Sequence, residues 1–268
     1  MQIRKQLHLL TVKNTMTKNI LITGAGSGMG RATAIVLSQN SDYRIILVGR
    51  DQAKLSDTLA RMNRHNNHLI WAMDIRDSSA WEEHLRNHTM TSLFAVFANA
   101  GVGGENQFGE GDRWKEIIST NLDGTYYTIQ YCLPLLRNSD TTFKHILITS
   151  SCLARFGVPR YTAYCTAKTG LLGLMRSLAV ELGHEKILVN ALTPGWVETD
   201  MAVAGVEKLA EANGRSLPEE MKIQQSIVPL QRFSQPDEIA NFVDFLFSEK
   251  QTSITGQALD INNGSFMI

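Results

Sequence analysis

Thr23-Gly24-Ala25-Gly26-Ser27-Gly28-Met29-Gly30 is the stretch that decides the fold of this chain. It follows an apolar run, Asn19–Thr23, and opens onto a helical stretch, Arg31–Ser38. Glycine permits a tight turn and lets the backbone come close to a bulky anion. The first turn of the next helix offers free N–H groups and the positive end of its dipole. A glycine-rich stretch alone is a weak signal. Placed between a first strand and a first helix, it is a cradle for a pyrophosphate rather than a merely flexible loop. Thr23, Gly24, Gly26, Ser27, Gly28, Met29 and Gly30 are therefore candidate dinucleotide-binding residues.

Outward from this turn, β-rich apolar runs recur at Asn19–Thr23, Arg44–Val48, Leu69–Met73, Leu93–Phe97, His145–Ser150, Ile187–Leu192 and Ala258–Ile261. Most are apolar throughout rather than alternating, as strands are when covered on both faces of a parallel sheet. Helical patterns fill the gaps. Leu171, Leu174, Met175, Leu178 and Leu182 recur at helical spacing, and Gly183 then offers a C-terminal cap. Pro236-Asp237-Glu238 opens another helix, with proline in the first turn and acids at the positive dipole end. Strands separated by helices imply right-handed crossovers. The expected fold is α/β: a single-domain, Rossmann-type, doubly wound parallel sheet of about seven strands with helices on both faces.

The second strand of such a fold should present a group to the adenosine ribose about 20 residues past the glycines. An acid there accepts from the 2′-OH of NAD, whereas a basic group pairs with the 2′-phosphate of NADP. The strand ends Val48-Gly49-Arg50-Asp51. Gly49 fills the usual acid position and Arg50 follows, which favours NADP(H). Asp51 keeps NAD(H) open, since it is either the N-cap of the next helix or a ribose ligand.

Tyr164 and Lys168 stand four apart on one helix face. A phenol is a poor acid-base catalyst at neutral pH unless its pKa falls, and a nearby ammonium plus a positive nicotinamide ring would favour phenolate. Tyr161 and Cys165 share that spacing without a charge. Ser151, thirteen residues before Tyr164, ends the strand His145–Ser150, where an open α/β sheet binds its ligands. Ser150 is its rival, and spacing favours Ser151.

The glycine turn, Asn99-Ala100-Gly101 after the fourth strand, Asn121, Ser151, Tyr164-Cys165-Thr166-Ala167-Lys168 and Pro194-Gly195 occur in one order and spacing. In this the chain resembles the short-chain dehydrogenase/reductase family, over nearly all of Lys18 to Ile268. The resemblance implies an NAD(P)-dependent oxidoreductase that moves a hydride between the nicotinamide and a carbonyl or alcohol carbon. It implies that Tyr164 is the general acid or base, that Lys168 holds the nicotinamide ribose and depresses the Tyr164 pKa, and that Ser151 orients the substrate carbonyl. Asn121 would anchor a water that relays protons to Lys168. Asn99, Ala100 and Gly101 would line the adenosine ribose side, and Asp74 with Ile75 the adenine. Pro194, Gly195, Thr199 and the Val197 backbone would grip the carboxamide. The chain departs from the family at Ala98, where a second asparagine is common, and at Asn262-Asn263-Gly264, in place of an acid and paired glycines. The second departure bears on the subunit contact or the substrate rim.

Other candidates read more plainly. His84 and His88, with Glu82 and Glu83, have metal spacing but no third ligand, so a solvated helix face is expected and no metal site. Cys152 and Cys165 read as small packing residues, lacking a cationic setting. Arg155 and Arg160 either bind an anionic group on the substrate or are solvated. The segment 198–227 is expected to be a substrate lid, made partly apolar by Met201, Val203, Val206, Leu209 and Met221, with Trp196 at its base. That suits a hydrophobic ketone, a steroid-like ring or an acyl chain. A 3-oxoacyl thioester reductase is the comparison to weigh. Such enzymes dock an acidic carrier on basic residues, whose counterparts here are Thr142 and Glu185, with Arg176 nearby. An acid facing an acidic partner repels it.

Composition bounds the remaining possibilities. Twenty-six basic and 26 acidic residues cancel in a chain of 268, with no basic block, so nucleic acid is not the expected partner. No apolar run approaches the roughly 18 residues of a membrane span. Three cysteines, Cys132, Cys152 and Cys165, without metal spacing fit a reducing, cytoplasmic setting. Residues 1–17 are expected to be an N-terminal extension, disordered or not native, before one domain over 18–268. Met1–Thr15 is short and poor in serine for a targeting peptide, and Met16 precedes the first strand. The resemblance also implies a homotetramer or dimer built through two long helices, Gly111–Arg137 and Tyr161–Gly183. A dinucleotide-binding regulator without catalysis is the contrasting reading, but it has no need of Ser151, Tyr164 and Lys168 together.

Overall fold

Lys18-Asn19-Ile20-Leu21-Ile22-Thr23 supplies β-branched side chains to both faces of a strand, and every residue from Ile20 to Thr23 is buried. In the computed structural model, which describes residues 17–88 and 90–267, this strand is β1 (Lys18–Thr23). The expectation for residues 1–17 falls, up to residue 16, outside the described residues.

Six more parallel strands join β1: β2 (Tyr43–Gly49), β3 (Leu69–Ala72), β4 (Ala95–Ala98), β5 (Lys144–Thr149), β6 (Ile187–Pro194) and β7 (Ala258–Ile261). They form one sheet in the order β3-β2-β1-β4-β5-β6-β7. The order reverses at β1, which pairs Lys18↔Tyr43 on one side and Ile20↔Ala95 on the other. The loops after β1 and β4 therefore leave in opposite directions and open a crevice at the carboxyl ends of the strands.

Alternate residues of each strand feed two cores. Leu21, Ile46, Val48, Val96, Ile146 and Ile148 pack on one face with Trp81, Leu136, Leu171 and Met175. Ile20, Ile22, Ile45, Leu47, Phe97 and Leu192 pack on the other with Leu37, Leu55, Ile239 and Val243. The covering helices are α1 (Gly28–Leu37), α2 (Gln52–Arg61), α3 (Ser78–Asn87), α4 (Trp114–Ile118), α5 (Gly124–Arg137), α6 (Thr162–Leu182), α7 (Asp200–Asn213), α8 (Leu217–Ser226) and α9 (Pro236–Phe247). The expected apolar runs and the doubly wound architecture are all present.

Two expectations need correction and two are refined. The helix expected over Gly111–Arg137 starts at Trp114, since Gly111 has φ +76, and residues Ser119–Asp123 widen into one π turn between α4 and α5. Such a turn re-aims side chains and is common at functional sites; here it carries Asn121. Gly183 is the C-cap of α6, as expected, though in right-handed rather than left-handed backbone. It keeps φ −59 and leads a 3₁₀ turn, and Lys186 at φ 57 ends the segment. His84 and His88 do not form a solvated face: His84 stacks on Trp71 and His88 tilts against it, at ring distances of 5.4 and 5.3 Å, and both are half-buried. Finally, the 201–227 loop is two helices, α7 and α8, joined at Gly214 with φ +63.

Candidate active site

The glycine turn is shaped by what a side chain would strike. Gly24 (φ +68) and Gly28 (φ +50) occupy backbone that other residues avoid. A Cβ on Gly30 would lie 2.3 Å from the Gly24 carbonyl oxygen. Ser27, the N-cap of α1, makes no side-chain capping bond, and the first turn of α1 carries no acid. By contrast, Asp51 and Asp77 cap α2 and α3. The α1 amides are thus the ones left for an anion, and no Cβ fills the space before them. Arg31 braces the turn from behind by donating to the Gly26 carbonyl at 2.5 Å.

Thr23 joins the two loops at the switch point. Its Oγ1 accepts from the backbone N–H groups of Asn99 (2.9 Å) and Ala100 (3.0 Å). Asn99 returns a bond to the Thr23 carbonyl and accepts from Thr149 Oγ1 at 3.1 Å. The ends of β1, β4 and β5 are tied into one rim. Gly24, Gly26, Ser27, Arg50, Asp74, Ile75, Ala100 and Gly101 line a single cleft there of about 210 Å³. Met29 and Gly30 lie just behind it, in the first turn of α1.

At the adenosine end Asp51 lines the cleft and also caps α2: one of its oxygens accepts from the N–H groups of Ala53 (3.0 Å) and Lys54 (3.1 Å), a cap that contributes about 1 kcal/mol to a helix. Lys54, which the sequence reading missed, lines the cleft with Arg50. Its signal was its place in the first turn of α2, directly after the end of β2 that carries Arg50. Asp74 is held by Arg76, whose Nε and Nη2 donate to it at 3.0 and 2.6 Å, and this pairing holds the carboxyl below its ordinary pKa. Ile75 is buried against Gly124, where a Cβ would sit 2.6 Å from its Cδ1.

The chemistry-bearing side chains converge at the ends of β5 and α6. Ser150 is consumed: its hydroxyl donates to the Lys168 carbonyl at 2.7 Å. Ser151 caps a short 3₁₀ turn by accepting from Leu153 N–H at 3.1 Å. Spacing had favoured Ser151 for the same place. Burial pushes the Tyr164 phenol up to about 12, with the nearby Ser151 hydroxyl pulling the other way. Burial pulls Lys168 down to about 8. Its Nζ donates to the Thr149 carbonyl at 2.8 Å and lies 5.6 Å from the Tyr164 ring centre. In the chain's own field burial raises the phenol, and the depression expected for Tyr164 requires the positive nicotinamide ring as well as Lys168.

Asn121 is fully buried and bonds Val102 twice, accepting from its N–H (3.1 Å) and donating to its carbonyl (2.9 Å). A Cβ on Gly101 would meet Asn121 Oδ1 at 2.4 Å and Lys168 Nζ at 3.5 Å, so glycine lets these two groups share one side of the cleft. Pro194 ends β6, and Gly195 packs on Asn262 with no room for a Cβ. Asn262 accepts from the Gly264 N–H and donates to the Phe266 carbonyl, closing the C-terminal turn. Val197 is buried and bridged to Ser234. Thr199 caps α7 and touches the glycine turn, 3.1 Å from where a Gly28 Cβ would be.

Arg155 and Arg160 are both taken by acids. Arg155 reaches Asp260 at 3.3 Å, and Arg160 reaches Glu105 at 2.8 Å. Cys152 is buried, which raises its thiol pKa, and Cys165 is half-buried near the Phe156 carbonyl. Glu185 pairs with Arg137 at 2.7 Å. It precedes β6 and Thr142 precedes β5, so both lie at the amino ends of the strands, opposite Ser151. The Glu185 charge therefore does not bear on the mouth of this chain's own cleft. Trp196 stacks on Phe233 beneath α7, where Gly205 touches it.

A parallel sheet with a glycine cradle at its switch point, and a Ser-Tyr-Lys set beside it, defines a dinucleotide-dependent oxidoreductase. Residues 24–265 match the family model described as enoyl-(acyl carrier protein) reductase. The 3-oxoacyl-acyl-carrier-protein reductase FabG of Staphylococcus aureus is 31% identical over 259 residues, covering 94% of this chain and 99% of its own. Among solved structures, an actinorhodin polyketide ketoreductase variant with NADPH superimposes with a TM-score of 0.86 at 27% identity, covering 93% of this chain and 97% of its own. Carveol dehydrogenase from Mycobacterium avium, in complex with NAD, gives 0.84 at 28%, covering 93% and 98%. The chain belongs to the short-chain dehydrogenase/reductase family and is an oxidoreductase of carbonyl and alcohol groups.

Proposed function

We propose that this protein reduces a hydrophobic ketone, or oxidises the matching secondary alcohol, with NADP(H). The observation that carries the reading is the convergence of Ser151, Tyr164 and Lys168 beside a cleft whose outer end holds Arg50 and Lys54 while Asp51 is engaged as an N-cap. The glycine turn and α1 amides would hold the pyrophosphate, Arg50 with Lys54 the 2′-phosphate, and Asp74 with Ile75 the adenine. Asn99, Ala100 and Gly101 would line the ribose, and Pro194, Gly195, Val197 and Thr199 the carboxamide. The bound nicotinamide supplies or accepts the hydride.

The chain's own groups manage the proton. The Ser151 hydroxyl donates to the substrate carbonyl oxygen and orients it. As the carbonyl π pair moves onto that oxygen, Tyr164 gives up its phenolic proton to it. The Lys168 ammonium stands by the ring and stabilises the phenolate left behind. Asn121, on the π turn, anchors the water that returns a proton through Lys168.

Segment 198–227 acts as the lid of the domain that begins at residue 18. Met201, Val203, Ile223 and Ile227 are exposed on it, which suits an apolar substrate. A 3-oxoacyl thioester is the second reading, favoured by the FabG relatives. Among the described residues, no helix is long and apolar enough to cross a membrane. The free cysteines fit a reducing, cytoplasmic setting.

The test is to titrate NADPH and NADH separately and follow nicotinamide fluorescence, with Arg50→Ala as the comparison. The wild type is expected to bind NADPH at least about tenfold more tightly, and Arg50→Ala to lose most of that margin, as removal of a charge-assisted phosphate contact does. Tighter NADH binding would remove the NADP assignment. Binding of either without turnover on a ketone panel would support the non-catalytic regulator instead. The assembly we propose is a homotetramer or dimer through α5 and α6, where Tyr126 and Val180 are exposed. Light scattering at micromolar concentration checks it, and a monomer mass would rule it out.

A further inference from the structure

We propose that Asn106 is a positioning residue for Tyr164: its buried carboxamide clamps the loop after β4 onto the first turn of α6 and so fixes where the phenol stands. The inference rests on the reading of Tyr164 as the proton-transfer group.

Asn106 is 5% exposed, although its neighbours in the loop are partly or fully exposed. Its Oδ1 accepts from Ala163 N–H at 2.9 Å and from Thr162 Oγ1 at 3.0 Å. Its Nδ2 donates to Asp112 at 3.2 Å. Its own N–H donates to the Arg160 carbonyl at 2.8 Å. Tyr161, the N-cap of α6, has no capping side-chain bond, so this helix receives its cap from a residue 57 positions earlier. Glu105 adds the ion pair to Arg160, which sits in left-handed backbone at φ 68. Two consecutive loop residues thus grip residues 160–163, and Tyr164 comes next.

The other side of the loop is equally fixed. Asn121 holds Val102 by two bonds, and Arg113 donates to the Gly103 carbonyl at 3.1 Å. The loop therefore sets the spacing between the π turn that bears Asn121 and the helix start that bears Tyr164. That spacing matters because Tyr164 lies in a first turn, the part of a helix most ready to fray. Proton transfer needs heavy atoms within roughly 2.6–3.2 Å, and a misplacement of about 1 Å can cost on the order of 100-fold in rate. Asparagine suits the position on both sides, since its carbonyl faces two donors and its amide faces the Asp112 carboxylate. Aspartate keeps the first function and loses the second.

The experiment compares Asn106→Leu and Asn106→Asp with the wild type. It reads kcat and KM for a ketone, NADPH affinity, and backbone hydrogen exchange across residues 160–168. Asn106→Leu is expected to lower kcat about 10- to 100-fold, to leave NADPH affinity within about threefold, and to speed exchange at 160–168 by about tenfold. Asn106→Asp is expected to restore the exchange protection and most of kcat, because the acceptor toward α6 remains. An unchanged kcat in Asn106→Leu, unchanged exchange at 160–168, or no rescue by aspartate would each overturn the proposal. If Asn106→Leu does not fold, Thr162→Val removes one donor to Oδ1 and should lower kcat about threefold; an unchanged kcat there overturns it too. Exchange needs no substrate. Faster exchange in the variant of a protein that reduces no ketone would uphold the clamp and defeat the reductase reading, whereas active wild type with unchanged exchange would defeat the clamp alone.

Discussion

Tyr164→Phe is expected to lower kcat for ketone reduction by about 10³-fold, within the 10²- to 10⁴-fold range of general acid-base catalysis, while NADPH still binds. The substitution removes one oxygen and keeps the ring beside Lys168, so α6 has no reason to move. The pH dependence follows from the same geometry. Burial holds the phenol up at about 12, so Tyr164 carries its proton at neutral pH and is ready to donate. Reduction requires that proton, and its rate falls as pH rises through the phenol's operating pKa. Oxidation requires the phenolate, and its rate rises over the same interval. The positive ring of an oxidised nicotinamide lowers that pKa, so the oxidation limb should appear well below 12. Initial rates in both directions between pH 6 and about 10 check this. Retained turnover in Tyr164→Phe, or identical pH limbs in the two directions, would mean that another group handles the proton.

Gly30→Ala is expected to weaken NADPH binding by about 100-fold and to lower the melting temperature. The added Cβ would stand 2.3 Å from the Gly24 carbonyl oxygen and 2.8 Å from Asn99 Nδ2. Neither can retreat cheaply. Gly24 is backbone at φ +68, and Asn99 is locked between Thr23 and Thr149. Overpacking of this kind costs about 1–3 kcal/mol, and a clash with backbone lies at the upper end, which corresponds to about 100-fold in affinity when the turn itself is displaced. Fluorescence titration and thermal melting measure the two effects. Wild-type affinity would show that the turn does not form the phosphate cradle.

Much of this molecule was legible in its sequence because the relevant physics is local. Seven strands could be found from apolar runs, since burial on both faces leaves a continuous signature. The cradle could be found because only glycine tolerates both a positive φ and so close an approach. Ser151, Tyr164 and Lys168 could be placed because residues on one helix, or at the end of one strand, keep a fixed relation along the chain. Even the choice between Ser150 and Ser151 followed from spacing, since Ser151 stands thirteen residues before Tyr164.

What the sequence left open depended on neighbours far away in the chain. That Asp51 caps α2 while also lining the cleft was visible only once its oxygen was seen to accept from Ala53 and Lys54. Arg155 and Arg160 could bind an anion until Asp260 and Glu105 were found against them. His84 and His88 fitted a solvated face until Trp71, on β3, lay beneath them. The burial around Tyr164 that raises its phenol was likewise invisible along the chain. The role of Asn106 toward α6 gave no local sign, since Thr162 and Ala163 lie more than fifty residues ahead. The sequence by itself determined the sheet, the cradle and the chemical groups, which depend on periodicity and backbone sterics. Only the tertiary structure decided which charges are neutralised, which polar atoms are spent and which groups are dry, because desolvation and Coulomb energy depend on distance through space.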